Sequence, residues 1–176
     1  MIMIAAADRN WAIGKDGRLL VRLSRDMKHF AAKTTGNVIV VGRKTLESFP
    51  GGKPLPRRVN IVLTSQKDYD GKGAIVARGT EELDRILREY DSEKIYIAGG
   101  ESLYRMMLPR CDKAIITRID AAFDADTWMP DLDRDPGWQL SGEGEILEEK
   151  GLKFRFCTYI NRSVRSGRKE TKEMRQ

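Results

Sequence analysis

Residues 94–108 read KIYIAGGESLYRMML, which combines a short apolar run, a glycine pair and a helical pattern in direct succession. The apolar run has the length of a buried strand, and Leu103, Tyr104 and Met107 recur at helical spacing after Gly99-Gly100. A strand–glycine–helix turn of this kind lets backbone N–H groups approach an anionic phosphate. An ordinary strand-to-helix corner explains the same residues equally well, and the dinucleotide fingerprint with three spaced glycines is absent.

Apolar runs rich in Val and Ile recur along the chain and alternate with helical patterns. Because these runs are apolar on both faces, they indicate strands buried on both sides, as in a mostly parallel sheet. The predicted strands are Met1–Ala7, Asn37–Val41, Val59–Leu63, Ala74–Ala77, Lys94–Ala98 and Lys113–Ile119. The predicted helices are Ser24–Lys33, Thr45–Phe49, Thr80–Tyr90 and Glu101–Leu108, with Ser24 and Thr80 as N-caps.

The pattern changes near the C-terminus. Residues 154–160 alternate apolar and polar side chains and follow a turn at 148–151, which predicts an antiparallel hairpin with residues 138–147. We therefore expect one α/β domain over residues 1–161, with a central, mostly parallel sheet of about eight strands, an antiparallel C-terminal hairpin and helices on both faces. The stretch 9–23 lacks regular periodicity and is interpreted as a functional loop.

Composition restricts the classes of protein to which the chain can belong. Its 176 residues are 40% hydrophobic and 33% charged, which suits one globular domain and excludes a collagen-like or wholly disordered chain. No apolar run approaches the ~18 residues that span a bilayer, so no membrane partner is expected. Two cysteines and one histidine indicate neither a disulfide framework nor a thiolate or multi-histidine metal site, and we expect a cytoplasmic location.

The net charge of +6 suggests a nucleic-acid partner until its position along the chain is considered. Residues 162–176 hold six basic and two acidic side chains, so only +2 remains for residues 1–161. That larger part has no basic stripe with interleaved aromatic residues. We therefore expect no specific nucleic-acid partner and interpret residues 162–176 as a basic, polar C-terminal tail.

A second strand end resembles the glycine-pair turn. Gly42 closes a predicted strand and is followed by Arg43, Lys44 and Thr45, a combination of cations and a hydroxyl that suits phosphate. A solvated basic turn is the alternative. Two such turns in one small domain favour a ligand with two separated phosphate groups, because ligands of open α/β sheets bind outside the carboxyl ends of the strands.

Asp26 is the candidate catalytic carboxylate. Helical spacing places it on the same side as Leu23 and Phe30, with Met27 adjacent. A carboxylate on an apolar face loses hydration unless donors reach it, and a heterocycle with adjacent N–H groups would supply two. An acidic residue near a helix start is also favoured by the helix dipole alone, so its position by itself does not decide between the two readings.

These pieces, taken together in their order and spacing over residues 1–161, resemble the dihydrofolate reductase family. The motifs are Ile4-Ala-Ala6, Trp11-Ala-Ile-Gly14, Asp26-Met-Lys-His-Phe30, Gly42-Arg-Lys-Thr-Leu-Glu-Ser48, Pro54-Leu-Pro56 with Arg58-Val-Asn60, Ile97-Ala-Gly-Gly100, and Ile119-Asp120 with Asp126-Thr127. The resemblance implies reduction of 7,8-dihydrofolate to 5,6,7,8-tetrahydrofolate for one-carbon metabolism, by hydride transfer from the nicotinamide C4 of NADPH to pterin C6.

The resemblance also implies roles on the substrate side. Asp26 would accept hydrogen bonds from the pterin N3 and 2-amino group, Thr117 would hydrogen-bond that carboxylate, and Arg58 would pair with the glutamate α-carboxylate. The implied substrate-binding residues are Ala5, Ala6, Met27, Phe30, Phe49, Leu55, Arg58 and Ala98.

On the cofactor side, the resemblance implies a cis Gly99–Gly100 bond at the pyrophosphate and a mobile loop, residues 9–23, that closes over the nicotinamide. No metal is implied. The implied NADPH-binding residues are Ala6, Ile13, Gly14, Leu19, Gly42, Arg43, Lys44, Thr45, Thr64, Ser65, Gly99, Gly100, Glu101, Tyr104 and Thr127.

The chain departs from the family pattern at Leu20-Val21, where many members carry Pro-Trp and the tryptophan helps hold a water near the carboxylate. Two rival functions remain. One is a reductase of the same fold acting on a pyrimidinone intermediate of riboflavin synthesis, which would have no use for Arg58 and the Phe30/Phe49 pair. The other is a nucleic-acid-binding or folate-binding module without catalysis, which the retention of Asp26 beside both phosphate turns argues against. A monomer is expected.

Overall fold

The computed structural model describes residues 1–163, and the remaining part of the predicted tail, 164–176, lies outside the described residues. The strands are β1 (Ile2–Ala7), β2 (Ala12–Lys15), β3 (Arg18–Leu19), β4 (Val38–Gly42), β5 (Val59–Leu63), β6 (Ile75–Ala77), β7 (Ile95–Ile97), β8 (Lys113–Ile119), β9 (Thr127–Trp128), β10 (Trp138–Glu143), β11 (Leu147–Glu149) and β12 (Leu152–Asn161). The α-helices are α1 (Ser24–Thr34), α2 (Arg43–Ser48), α3 (Thr80–Leu87) and α4 (Glu101–Met107).

The main sheet has the order β10-β12-β8-β1-β7-β4-β5-β6, and the short β11 pairs with β12. The pairings from β8 to β6 are all parallel, whereas β12 is antiparallel to β8, β10 and β11. The predicted mostly parallel sheet with an antiparallel C-terminal hairpin is therefore confirmed. A second sheet, β3-β2-β9, differs from the expectation of a single sheet, because its strands of two to four residues are too short to show a periodicity, both in the loop 9–23 and at residues 127–128.

Helices cover both faces of the main sheet. Alternate residues of β1 belong to different cores: Met3 packs in the cluster that contains Leu83 of α3 and Met107 of α4. Ile4 packs in the opposite cluster, against which Phe30 of α1 rests. The two-sided burial explains why the strand sequences are apolar throughout rather than alternating.

Both predicted hydroxyl caps are wrong. The residue before α1 is Leu23 and the residue before α3 is Gly79, and neither supplies a side-chain cap. Ser24 and Thr80 instead form the first helical residue of each helix. Leu23 is 1% exposed, so the chain enters α1 through the core, where an apolar residue is required. The cap of α1 comes from a distant part of the chain and is described below.

Asp8, directly after β1, is a fully buried carboxylate. It accepts hydrogen bonds from the backbone N–H groups of Asn10 at 2.8 Å, Ala12 at 2.9 Å and Phe123 at 2.9 Å. Buried carboxylates are stable only when such donors replace their hydration. Asp8 therefore ties the start of the loop 9–23 to the connection between β8 and β9.

We predict that Asp8→Ala lowers the free energy of unfolding by about 3 kcal/mol, because one buried and two partly buried N–H groups lose their acceptor. Urea denaturation measures the loss. Asp120→Ala is the matched control, since the ion pair of Asp120 with Arg9 has side chains 60% and 62% exposed and is screened by solvent, so its loss should change stability little. Equal losses in the two variants would show that Asp8 is not an anchor.

Candidate active site

The turns predicted from the sequence to bind phosphate lie at one edge of the main sheet, whereas Arg58 precedes β5 at its amino end. The parallel strands β1, β4, β5 and β7 end on the same side, and the turns 42–45, 64–65 and 99–101 follow three of these ends. The carboxyl edge of an open α/β sheet is the place where its ligands bind. The fold therefore brings the two glycine turns and the Thr64-Ser65 turn to one surface.

Asp26 reaches this edge from the first turn of α1. The hydroxyl Oγ1 of Thr117 donates a hydrogen bond to Oδ1 of Asp26 at 2.6 Å. Thr117 is 2% exposed and lies in β8 between Ala6 of β1 and Phe156 of β12, its partners in the sheet register. A helix residue and a strand residue 91 positions apart in the sequence thus form one polar pair inside an apolar wall.

The environment makes ionisation of Asp26 unfavourable. Burial raises the pKa of the Asp26 carboxyl above its usual range, the Thr117 hydrogen bond opposes that rise, and the negative charge of Glu149 adds to the rise in pKa. A ligand that donates hydrogen bonds to both carboxylate oxygens would offset the lost hydration. The site is therefore suited to a ligand with paired N–H donors.

An apolar slot adjoins the carboxylate. Phe30, Phe49, Leu55 and Ala98 are partly buried and pack around one cluster, whose buried members are Ile4, Ile39, Tyr96 and Ile115. The side chain of Met27 is also on α1 and is 42% exposed. Ala5 does not join this group, because its side chain packs against the opposite cluster.

Arg58 is held in place at the far end of α1. Its Nε donates to Oγ1 of Thr34 and its Nη1 donates to the carbonyl of Pro56, each at 2.8 Å, and its guanidinium carbon lies 6.0 Å from the centre of the Phe30 ring. Burial lowers the pKa of Arg58 from its usual value, with a further contribution from the charge of Arg57. Within residues 1–163 no carboxylate forms an ion pair with Arg58. A fixed guanidinium without an acidic partner is suited to bind a ligand carboxylate.

The two glycine turns touch each other. The N–H of Gly42 donates to the carbonyl of Gly99 at 2.8 Å, and a Cβ on Gly100 would lie 3.5 Å from Oγ1 of Thr45. Gly99 has φ +104, and a Cβ there would lie 3.3 Å from the ring of Tyr104. The Gly99–Gly100 peptide bond is cis, as the resemblance implied. Backbone N–H groups from two strand ends therefore share one surface.

Tyr104 lies beneath this surface rather than on it. Its side chain is 3% exposed, and its hydroxyl donates to the carbonyl of Ile4 at 2.7 Å. Glu101, at the start of α4, accepts a hydrogen bond from the backbone N–H of Trp128 at 3.2 Å and so links the turn to β9. These two predicted cofactor residues connect the turn to its neighbours in the fold.

The polar side chains of the other turns differ in their pairing. Arg43 donates to both carboxylate oxygens of Glu47, at 2.9 and 2.8 Å, whereas Lys44 is exposed and has no acidic partner among the described residues. Thr64 is 8% exposed and its Oγ1 accepts the N–H of Gln66 at 3.1 Å, and Ser65 is exposed. Lys44 and Ser65 are therefore directly available to a ligand, while Arg43 would have to share its guanidinium.

The loop 9–23 is held by the segment around β9. The carbonyl of Gly14 accepts the N–H of Asp126 at 3.2 Å, and Oδ2 of Asp126 accepts the N–H of Asp16 at 2.8 Å. Thr127 donates its hydroxyl to Oδ1 of the same carboxylate at 2.6 Å, and these hydrogen bonds lower the pKa of Asp126. The side chain of Leu19 is 52% exposed at the outer strand of this small sheet. Ile13 packs inward, so only its backbone is available to a ligand.

Sequence reasoning missed one further pair of residues, Glu149 and Lys150. Glu149 accepts the backbone N–H groups of Ser24 at 2.6 Å and Arg25 at 3.1 Å, and Lys150 donates its Nζ to the carbonyl of Arg22 at 2.6 Å. The sequence pattern had assigned both residues only to a hairpin turn. Because this cap comes from 124 or 125 positions away, the residues around the helix start carry no signal for it except the apolar residue at the N-cap position.

Within residues 1–163, no group of three or more His, Cys, Asp or Glu side chains could hold a metal ion. The helices of that same part of the chain are too short or too polar to cross a membrane.

Comparisons with known proteins agree on one family. A family model described as dihydrofolate reductase matches residues 1–161. The dihydrofolate reductase of Staphylococcus haemolyticus is 35% identical over 84% of this chain and 87% of its own length, and that of Bacillus subtilis is 35% identical over 89% and 91%. A solved structure of dihydrofolate reductase from Enterococcus faecalis, complexed with NADP(H) and RAB-propyl, has a TM-score of 0.80 and 33% identity and covers 91% of this chain and 95% of its own.

We predict that Thr117→Val raises the pKa of Asp26 further, because the hydroxyl that favours the ionised carboxylate is lost. Carboxyl ¹³C NMR titration measures the midpoint, with Asp26→Asn used to assign the signal. Thr127→Val is the matched control, since it removes a hydroxyl from Asp126 and should leave the Asp26 midpoint unchanged. A midpoint that falls or stays the same in Thr117→Val would contradict the prediction.

Proposed function

The chain belongs to the dihydrofolate reductase family, and from that premise we propose that Asp26 and Thr117 are the residues that govern its proton chemistry. The reaction is the NADPH-dependent reduction of 7,8-dihydrofolate to 5,6,7,8-tetrahydrofolate, which makes the protein an oxidoreductase. The observation that supports the assignment is the Asp26–Thr117 hydrogen bond at 2.6 Å, beside an apolar slot and next to the glycine turns.

Asp26 accepts hydrogen bonds from N3 and the 2-amino group of the pterin. These two donors stabilise the carboxylate that burial otherwise disfavours, so substrate binding and ionisation of Asp26 reinforce each other. The resulting negative charge stabilises the cationic form of the pterin ring as the reaction proceeds. Thr117 keeps the carboxylate in the orientation in which both oxygens face the ring edge.

The N5 proton of the pterin comes from solvent. Val21 packs with Leu23, Ile119 and Phe154, and its side chain has no polar atom that could hold a water by hydrogen bonding. The proton therefore does not reach N5 through a water that the side chain of residue 21 holds, as it could if that residue were a tryptophan.

The substrate occupies the apolar slot with its glutamate toward Arg58. Met27, Phe30, Phe49 and Leu55 enclose the pterin and aminobenzoyl rings, and Ala6 and Ala98, with the backbone of Ala5, form the floor. Arg58 pairs with the glutamate α-carboxylate through guanidinium N–H groups that do not donate to Thr34 or Pro56. The fit to an aminobenzoyl-glutamate favours dihydrofolate over a phosphorylated ribityl pyrimidinone, which needs neither feature.

Bound NADPH supplies the hydride that passes from nicotinamide C4 to pterin C6. The residues that would hold it suit a dinucleotide, because the two glycine turns meet through the Gly42–Gly99 hydrogen bond and Lys44 lacks an acidic partner among the described residues. Backbone atoms of Ala6, Ile13 and Gly14 would hold the nicotinamide end, with Leu19 on the loop 9–23 and Thr127 on β9 beside it. The phosphate residues are Gly42, Arg43, Lys44, Thr45, Thr64, Ser65, Gly99, Gly100 and Glu101, and Tyr104 supports their turn from beneath.

We further propose a cytoplasmic monomer whose catalytic domain is residues 1–161, with no nucleic-acid partner. Cys111 and Cys157 are buried free thiols, which fits a reducing compartment. The family model ends at residue 161, and most of the positive charge falls in the tail of residues 162–176.

We predict that Asp26→Asn lowers turnover at neutral pH by ~10²–10⁴-fold and leaves the affinity for NADPH nearly unchanged.

The same variant should be more stable than the parent at neutral pH. The raised pKa of Asp26 means that its ionised form destabilises the fold, and this penalty disappears below pH ~3.9, where the carboxyl is protonated in both states. Steady-state kinetics and thermal denaturation at both pH values measure the effects, with exposed Asp120→Asn as control. An undiminished turnover would remove Asp26 from the mechanism.

We predict that Arg58→Leu weakens dihydrofolate by roughly 10- to 100-fold, as expected for a lost charge-assisted pair, but weakens a pterin without the glutamate far less. Equilibrium binding of both ligands measures the difference. Arg57→Leu is the matched control, because it removes a neighbouring cation that has no assigned ligand contact. Equal losses for the two ligands in Arg58→Leu would refute the assignment.

A further inference from the structure

The helix that carries Asp26 has no cap of its own. Its N-cap residue is the apolar Leu23, and its first free N–H groups, on Ser24 and Arg25, are bonded instead to the carboxylate of Glu149 at 2.6 and 3.1 Å. Each of the two carboxylate oxygens takes one N–H. A negatively charged acceptor at a helix start satisfies orphan donors and interacts favourably with the helix dipole.

Glu149 is itself held by a tight hairpin. It ends β11 opposite Leu152 of β12, and Lys150 and Gly151 form the turn with φ of +54 and +72. Lys150 then donates to the carbonyl of Arg22 at 2.6 Å. We call Glu149 and Lys150 the hairpin clasp, because they hold the chain on both sides of Leu23, where the loop 9–23 ends and α1 begins.

The hairpin clasp also acts electrostatically on Asp26. The two backbone hydrogen bonds lower the pKa of Glu149, so it stays ionised, and its charge contributes to the raised pKa of Asp26. The other groups that face Asp26 are Thr117 of β8, which donates to it, and buried Tyr104 of α4, whose pKa is raised by burial and by the charge of Asp26. His29 lies one turn further along α1, stacked on Phe156, with its pKa lowered by burial and by Lys33.

We propose that Glu149 is a positioning residue for the reduction: it fixes the first turn of α1 against β8, so that the carboxylate of Asp26 meets Thr117 and the pterin edge together. This inference rests on the proposed role of Asp26. It predicts that a change at the β11–β12 turn, in a different part of the chain from both ligand sites, alters catalysis through the placement and charge environment of one carboxylate.

Three variants test the inference. Glu149→Ala removes both acceptor oxygens and the charge, and Glu149→Gln removes the charge but retains one acceptor oxygen. Glu148→Gln is the matched control, because Glu148 is the adjacent, exposed residue of β11 and the variant makes the same change in net charge.

Amide hydrogen exchange by NMR reports on the first turn of α1, and carboxyl ¹³C NMR reports on Asp26. We expect exchange at residues 24–27 to accelerate roughly fivefold in Glu149→Ala and less in Glu149→Gln, as for a lost helix cap. The titration midpoint of Asp26 should fall in Glu149→Gln, because a negative charge is removed, and stay unchanged in Glu148→Gln.

Kinetics completes the test. Turnover should fall in Glu149→Ala by up to ~100-fold, the scale of a 1 Å misplacement, with NADPH affinity unchanged and with partial recovery in Glu149→Gln. Two results would overturn the inference. One is an equal shift of the Asp26 titration midpoint in Glu148→Gln. The other is normal turnover in a Glu149→Ala variant in which amide exchange at the first turn of α1 has accelerated. If the parent protein does not use Asp26, turnover will be undiminished in Asp26→Asn. The two NMR measurements will then still report whether the hairpin clasp holds the first turn of α1.

Discussion

The hydrogen bond from Thr117 to Asp26 is the constraint on which the site depends. It joins α1 to β8 of the main sheet through a polar pair among apolar side chains. Burial makes the carboxylate unstable on its own, and that instability gives it a strong preference for a ligand with paired donors. Two parts of the fold hold these two residues. Strands β1 and β12 hold Thr117 from both sides, and the hairpin clasp holds the helix start.

Parallel strands supply the second half of the site by a simple geometric rule. Their carboxyl ends lie side by side, so turns separated by more than fifty residues in the chain become neighbours, as the Gly42–Gly99 hydrogen bond shows. Glycine is required where the turns meet, since Gly99 adopts a positive φ and its Cβ would contact Tyr104. The polar edge that we propose for a dinucleotide and the apolar slot that we propose for a pterin are thus formed by one sheet.

The main strands were predictable because each is a continuous apolar run, and the main helices because their apolar residues recur at helical spacing. Val59–Leu63 and Lys113–Ile119 were predicted to the residue, and α1 began at the predicted Ser24. The small sheet of β2, β3 and β9 was not predictable, since two to four residues carry no period. The hydroxyl caps were wrong because burial of Leu23 decided how the chain enters α1.

The sequence by itself determined the order of buried strands and helices, the glycine turns and the position of one acid on an apolar helix face, since these follow from local period and residue type. Only the tertiary structure decided which groups meet. The partner of Asp26 lies 91 residues away, and the cap of its helix lies 125 residues from Ser24. Such contacts depend on how strands are ordered in the sheet, which no local stretch of residues encodes.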